Sequence, residues 1–443
     1  MSSTIDAAGR TCRRHAPRIT AWLTLQVFVL QSGCAALGVK VPETGFQDSL
    51  GRVAILGAEH EAEIRFEGFV HGKGEGAAQG AGSTLFNCLG GLGRGGCAGE
   101  FCGAAVILML GICGVAGIVG GIAGATTAPG AGKVQQSAQV LSEAMNHATI
   151  QDSLSRQVSA LALARGENLA TPAANRIELA RQQHDYSVLA DQGVDTVLEV
   201  ALTKAGTRGA GINAPVQLYM EAHVRLIRTV DNSELFSADY EYQGSQRKLA
   251  AWSANQGKPL LRGLEDGYLA LGNHIHDSVF MLWPFPDRGA HSAGTLVAAF
   301  GLAPVEPAVR GQLTGDVLFG GQFEWITVNS LHPTLRWQAF PRASDLERSP
   351  GLAARISAVR YDVVIARESN LAPAEIVYHG EGLGEPRVTL QTALLPGSRY
   401  FWTVRARFVL DARERVTEWA TTNYRVLDRL TSPNAFSYRF RTR

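Results

Sequence analysis

The sequence predicts a multidomain chain, with an α/β (α+β) middle domain that carries a glycine-rich membrane segment and an all-β sandwich after it. Three observations predict this. Residues 216–230 alternate, with Leu218, Met220, Ala222, Val224 and Leu226 on one side, and Asp231-Asn232 offers a turn before a returning strand at 234–242. Residues 101–132 carry no charge and are rich in glycine. The last part, 318–443, is built of short alternating stretches, such as 361–365, with Trp337, Tyr361, Tyr400 and Trp402 on alternating strand positions. At 443 residues the chain is too long for one ordinary core, so several folded units are expected. The hydrophobic share of 46% against a charged share of 18% tilts it toward membrane contact. A net charge of +1 gives no electrostatic case for nucleic acid, which calls for a clustered basic surface.

The first element is a targeting segment. Arg10, Arg13, Arg14 and Arg18 precede the uncharged stretch 19–30, which is shorter than the about 20 residues a bilayer span needs. It ends in Leu30-Gln31-Ser32-Gly33-Cys34. Small residues directly before a cysteine resemble the lipobox of bacterial lipoprotein signal peptides, although Gln31 stands where that family prefers leucine. The resemblance implies removal of 1–33 and acylation of Cys34, both on its thiol and on the new N-terminus. Ala35 follows where an aspartate would signal inner-membrane retention, so the implied location is the outer membrane, with the folded domains in the periplasm. Residues 34–50 then read as a tether.

Residues 51–70 form a first strand region, through Val53, Ile55, Ile64 and Phe66. The segment 71–132 follows. Within it, 104–124 is apolar and long enough to cross hydrocarbon as a helix. Gly117 with Gly121, and Gly120 with Gly124, sit at four-residue spacing and would let another helix pack closely. The run resembles the glycine-zipper segments of some outer-membrane lipoproteins; the alternative is a hydrophobic hairpin buried in a soluble domain. Cys88, Cys97, Cys102 and Cys113 all fall in this segment. In an oxidising compartment they could form disulfides, or pack as free thiols; their spacing is not the short paired kind that zinc prefers.

Residues 133–286 form the α/β domain. Helical periodicity runs over 134–163, a second helix over 176–185, a strand over 193–202, then the hairpin, then a long amphipathic helix over 252–283. Gly193-Val194-Asp195 before a strand, and the stretch from Arg225 through Asp231-Asn232 to Phe236, resemble the periplasmic domain shared by curli-secretion-type and penicillin-binding-protein-activator-type lipoproteins. The glycine-rich insertion departs from that pattern. Residues 287–317, rich in Gly, Ala and Pro, read as a linker.

In 318–443, Trp337, Tyr361, Tyr400 and Trp402 fall on alternating strand positions and are expected in the core. Leu394-Leu-Pro-Gly-Ser-Arg-Tyr400 matches the L-x-P-G-[ST]-x-Y signature and resembles fibronectin type III domains. The resemblance implies a fibronectin type III-like sandwich whose tyrosine corner is Tyr400.

The search for chemistry yields no catalytic residue. Gly91-Leu-Gly93-Arg-Gly-Gly96 fits a dinucleotide pattern only through glycine abundance. Gly132-Lys133 lacks both the earlier glycine and the hydroxyl residue of a phosphate loop, and His60-Glu61 lacks the second histidine of a zinc protease helix. His274 and His276 diverge on a helix, so a shared metal is not expected. The expectation is a non-catalytic envelope lipoprotein, without cofactor or metal, that acts as an assembly or partner-binding protein. Its partners would be the membrane, through the lipid anchor and the embedded helix, other envelope proteins, and copies of itself, with no nucleic acid. The alternative is an oligomeric pore or secretion-type lipoprotein whose transmembrane part is the glycine-rich segment.

Overall fold

The computed structural model describes residues 46–59, 62–67, 131–146, 150–209, 214–283, 297–307, 313–314, 322–323, 325–426, 429–430 and 438–443. Cys34, Cys88, Cys97, Cys102, Cys113 and the glycines Gly117, Gly120, Gly121 and Gly124 lie outside these residues. Among the described residues, no helix is long and apolar enough to cross a membrane.

The middle part is a sheet covered by helices. Its strands are β1 (Val53–Gly57), β2 (Glu63–Phe66), β3 (Thr196–Arg208), β4 (Val216–Arg228) and β5 (Ser233–Arg247). β1 and β2 both run parallel to β3, one along each half of it, and β3, β4 and β5 form an antiparallel meander. The hairpin turn works because Asn232 takes a left-handed conformation, φ 52°, which asparagine tolerates. The register puts Leu218, Met220, Val224 and Leu226 of β4 on the face shared with Leu198, Val200 and Leu202 of β3. At Gly206 the parallel partner comes so close that a Cβ would lie 1.6 Å from the Arg65 carbonyl oxygen, so only glycine permits the β2–β3 pairing.

Helices α1 (Ala131–Asn146), α2 (Ile150–Ala164), α3 (Ala174–Gln183) and α4 (Ala254–His276) complete this layer. Leu141, Met145, Leu154 and Val158 of α1 and α2 join Leu260, Leu264, Leu271 and Ile275 of α4 in one core with the sheet. α4 lies close on the sheet because Gly267 leaves no side chain between it and Met220; a Cβ there would meet the Met220 sulfur at 2.3 Å. The opposite face of the sheet carries cross-strand charge pairs, Lys204–Glu221, Arg225–Glu234 and His223–Asp239.

Two helical expectations are corrected. The single period over 134–163 is two helices, with α1 ending at Asn146 and α2 starting at Ile150. The helix expected over 252–283 is interrupted where Asn255, Gln256 and Gly257 take left-handed angles, φ 51°, 59° and 76°, just before Pro259. Proline cannot donate to the preceding turn, so the helix proper starts there. It ends in a π-turn, Asp277–Met281.

The remaining strands are β6 (Val297–Phe300), β7 (Pro304–Glu306), β8 (Leu313–Thr314), β9 (Gln322–Phe323), β10 (Ile326–Val328), β11 (Thr334–Trp337), β12 (Ile356–Ala366), β13 (Ile376–Leu383), β14 (Arg387–Thr389), β15 (Arg399–Leu410), β16 (Arg413–Val416), β17 (Thr421–Val426), β18 (Arg429–Leu430) and β19 (Tyr438–Thr442). One sheet runs β10-β19-β15-β12-β13, with β16 also on β15; the facing sheet runs β14-β11-β7. Leu335 and Trp337 from one sheet and Tyr361, Val363, Ile365, Trp402, Val404 and Phe440 from the other form a second core. Residues 297–307, expected in a linker, instead supply β6 and β7 and put Leu302, 0% exposed, into that core. The end of the expected tether is also folded: Phe46–Ser49 forms a 3-10 turn, Phe46 stacks on Phe236, and Leu50 enters the first core.

Candidate functional site

The densest polar cluster lies where the two layers meet. On the outer face of β15, Arg405 sits between apolar neighbours, since even-numbered Val404 and Ala406 face the sandwich core. It is buried because the helical layer covers this half of the face. The π-turn that ends α4 directs Asp277 to it, and Arg405 Nη1 donates to Asp277 Oδ2. Arg405 Nε donates to Asp362 Oδ2 of β12 at 2.9 Å, and Trp419 lies over the guanidinium at 4.5 Å. Arg407 Nη2 reaches the same Asp362 oxygen at 3.0 Å and Glu414 through Nη1 at 3.1 Å.

From the other side, Arg165 at the end of α2 donates to Asp277 Oδ1 at 2.7 Å and to Asn273 Oδ1 at 3.0 Å. Its Nη1 also lies 3.0 Å from His276 Nδ1, and His276 Nε2 faces Glu167 at 3.3 Å. The result is an alternating row, Arg165, Asp277, Arg405, Asp362, Arg407, Glu414, that crosses the junction. Burial alone would raise the Asp277 carboxyl, but neighbouring His276 and the Arg405 and Arg165 cations outweigh it and hold it well below the usual carboxylate range. Asp362 behaves alike: burial opposes its charge, while Arg405 and Arg407 lower it.

A second clamp lies beside the first. Arg415 Nη1 donates to the Phe280 carbonyl at 3.0 Å, and Asp48 bridges Arg413 and Arg415 at 2.9 and 3.0 Å. Gln47 Nε2 donates to the Leu282 carbonyl at 3.0 Å, and Trp283 N to that of Val416 at 2.8 Å. A cleft of about 220 Å³ opens here, lined by Asp48, Trp283, Arg355 and Asp411 among others. A third contact holds the edge of β5, where Asn370 Nδ2 donates to the Gln243 and Gly244 carbonyls at 2.8 Å each.

Asp277 and Asp362 are thus held as anions by the arginines around them. Among the described residues, no group of three or more His, Cys, Asp or Glu side chains could hold a metal. His274 and His276 do face apart: His274 is exposed with Tyr240 edge-on at 4.9 Å, while His276 is buried and stacked on Phe280. Tyr400, 1% exposed, accepts a hydrogen bond from Leu395 N at 2.9 Å. Trp337, Tyr361 and Trp402 are buried with it.

No family model matches the chain, and no curated protein matches it. Solved structures with some likeness include a lipoprotein from Neisseria meningitidis, at 22% identity, covering 26% of this chain and 80% of that one, with a TM-score of 0.18. A hypothetical protein from Chlamydia trachomatis is 12% identical, covers 30% of this chain and 86% of its own, and scores 0.22. A Xanthomonas campestris protein is 16% identical, covers 26% and 66%, and scores 0.15. Scores of that size do not establish a shared fold.

Sequence reasoning passed over Arg165, Asp362 and Arg405. The one available signal was Arg405 and Arg407 at alternate positions among the apolar Val404, Ala406 and Phe408. Charges so placed need a partner on that face.

Proposed function

We propose that the chain is a non-catalytic cell-envelope lipoprotein, anchored at the outer membrane through Cys34, that holds partner proteins in a fixed arrangement. The observation that carries the reading is the row Arg165–Asp277–Arg405–Asp362, buried from Asp277 to Asp362, which ties the helical layer to the sandwich. Such a junction suits a scaffold, because surfaces on the two layers then keep one relative orientation. The sandwich is read as fibronectin type III-like; β14-β11-β7 facing β13-β12-β15-β19, with the Tyr400 bond to Leu395, supports that. The anchor rests on Ser32-Gly33-Cys34 behind an apolar run.

Metabolic labelling with a fatty-acid analogue tests the anchor. The parent should incorporate label and Cys34→Ala should not; label that persists in the variant would exclude Cys34 as the acylated residue.

A second reading is favoured by one placement. The segment 71–132 leaves after β2 and returns at α1, and both flanking elements are tied into the same core, since Ile64 and Phe66 of β2 and Leu141 and Met145 of α1 pack in it. An excursion that starts and ends on one domain could line a ring of subunits as a membrane hairpin. Negative-stain imaging of detergent-extracted protein separates the readings: monomers or small complexes support the scaffold, and closed rings support the pore.

A further inference from the structure

The outer face of the sheet that carries Arg405 has a second half. Six residues away along β15, about 20 Å at strand rise, Arg399 is exposed. The register sets Arg399 directly opposite Arg441 of β19, and Phe401 opposite Arg439. Like charges directly opposite on one face are unfavourable. Trp325 lies between two of them: the Arg399 guanidinium is 5.0 Å and the Arg439 guanidinium 5.2 Å from its ring centre. Phe401 meets the same ring edge-on at 5.3 Å. Arg441 Nε donates to Thr327 Oγ1 at 2.8 Å. Among the described residues, no carboxylate pairs with Arg399 or Arg441. The adjoining turn leaves Leu395 59% exposed, with its carbonyl held by Thr442.

We propose that this end of the sandwich docks on an anionic lipid bilayer. Arg399 and Arg441 meet headgroup phosphates, while Trp325 and Leu395 enter the interfacial layer. Charge complementarity selects the phosphates. Trp325 and Leu395 select a bilayer over a soluble polyanion, because a tryptophan with one apolar side and one polar side is most stable at a membrane–water boundary, and an exposed leucine gains nothing from a hydrated polymer. The proposal extends the reading of a membrane-held chain but does not depend on the acyl group.

The test is flotation of the full chain carrying Cys34→Ala, with vesicles of phosphatidylcholine alone and of phosphatidylcholine mixed with phosphatidylglycerol. The acyl-free chain should prefer the mixed vesicles, and added salt should weaken that preference. An arginine beside an anionic surface contributes about 1 kcal/mol, or about fivefold in partition. Arg399→Gln should therefore lower partition into mixed vesicles about fivefold, and Arg399→Gln with Arg441→Gln about twenty-fivefold, with binding to phosphatidylcholine unchanged. Arg399→Lys with Arg441→Lys should keep the preference, which separates charge from any loss of fold; matching thermal transitions of the two double variants check the same point. An acyl-free parent without preference for the mixed vesicles, or a folded glutamine pair that retains it, overturns the proposal. Failure of Cys34 labelling leaves this result untouched, so the two ideas fail separately.

Discussion

At Tyr400 one hydroxyl organises a turn. Its oxygen takes the Leu395 N–H, while Thr442 Oγ1 donates to the Leu395 carbonyl at 2.6 Å, so both backbone polar groups of Leu395 end on side chains of neighbouring strands. Tyr400→Phe keeps the ring in the core and deletes only the acceptor. The cost should be roughly 1–3 kcal/mol, the usual penalty for stranding a partly buried donor. Denaturant melts would show this as a lower midpoint at unchanged slope. A midpoint that does not move would mean that water replaces the hydroxyl at Leu395. The stretch from Leu394 to Tyr400 is local in the sequence, whereas Thr442 is brought to it only by the pairing of β19 with β15.

Among the elements, α4 and its π-turn matter most for the junction. Asp277 is the point where α2, α4 and β15 meet. Asp277→Asn removes the anion between the buried Arg405 and the partly exposed Arg165 while Arg405 keeps Asp362, so it should cost about 1–3 kcal/mol, the loss of charge-assisted hydrogen bonds. The folded Asp277 carboxyl lies below its unfolded value of about 3.9. Its contribution is therefore complete above that unfolded value, and is lost as pH falls from there toward the folded value. Stability of the parent measured by denaturant at pH 7, 4 and 3 should fall over the lower interval, and the Asp277→Asn protein should fall less. Equal slopes would show that Asp277 carries no net share. The helix that places this residue was only partly legible. The apolar period runs from Leu260 onward, while Asn255–Gly257 take left-handed angles and break the helix before Pro259.

On the scale of the whole molecule, the sandwich does not begin where the glycine- and proline-rich stretch ends. β7 pairs with β11 and Leu302 is fully buried, so a fragment spanning 297–443 should give a cooperative thermal transition, while one spanning 318–443 should melt several degrees lower or not cooperatively. Comparable melting of the two would show that β6 and β7 add nothing to the sandwich core.

What the sequence determined by itself was whatever repeats at short range. The alternation of β4 and its return through Asp231-Asn232, the apolar stripe of α1 and α2, and the Leu394–Tyr400 turn all depend on neighbours a few positions apart. The tertiary structure decided which charges meet. Asp277 and Arg405 stand 128 residues apart, and Asp48 and Arg415 stand 367 apart. Each looks like an ordinary surface residue along the chain. Asp277 and Arg405 become partners because packing of the helical layer on the outer face of β15 excludes water there, and a charge removed from water must find its opposite, whereas Asp48 reaches Arg415 from the exposed side.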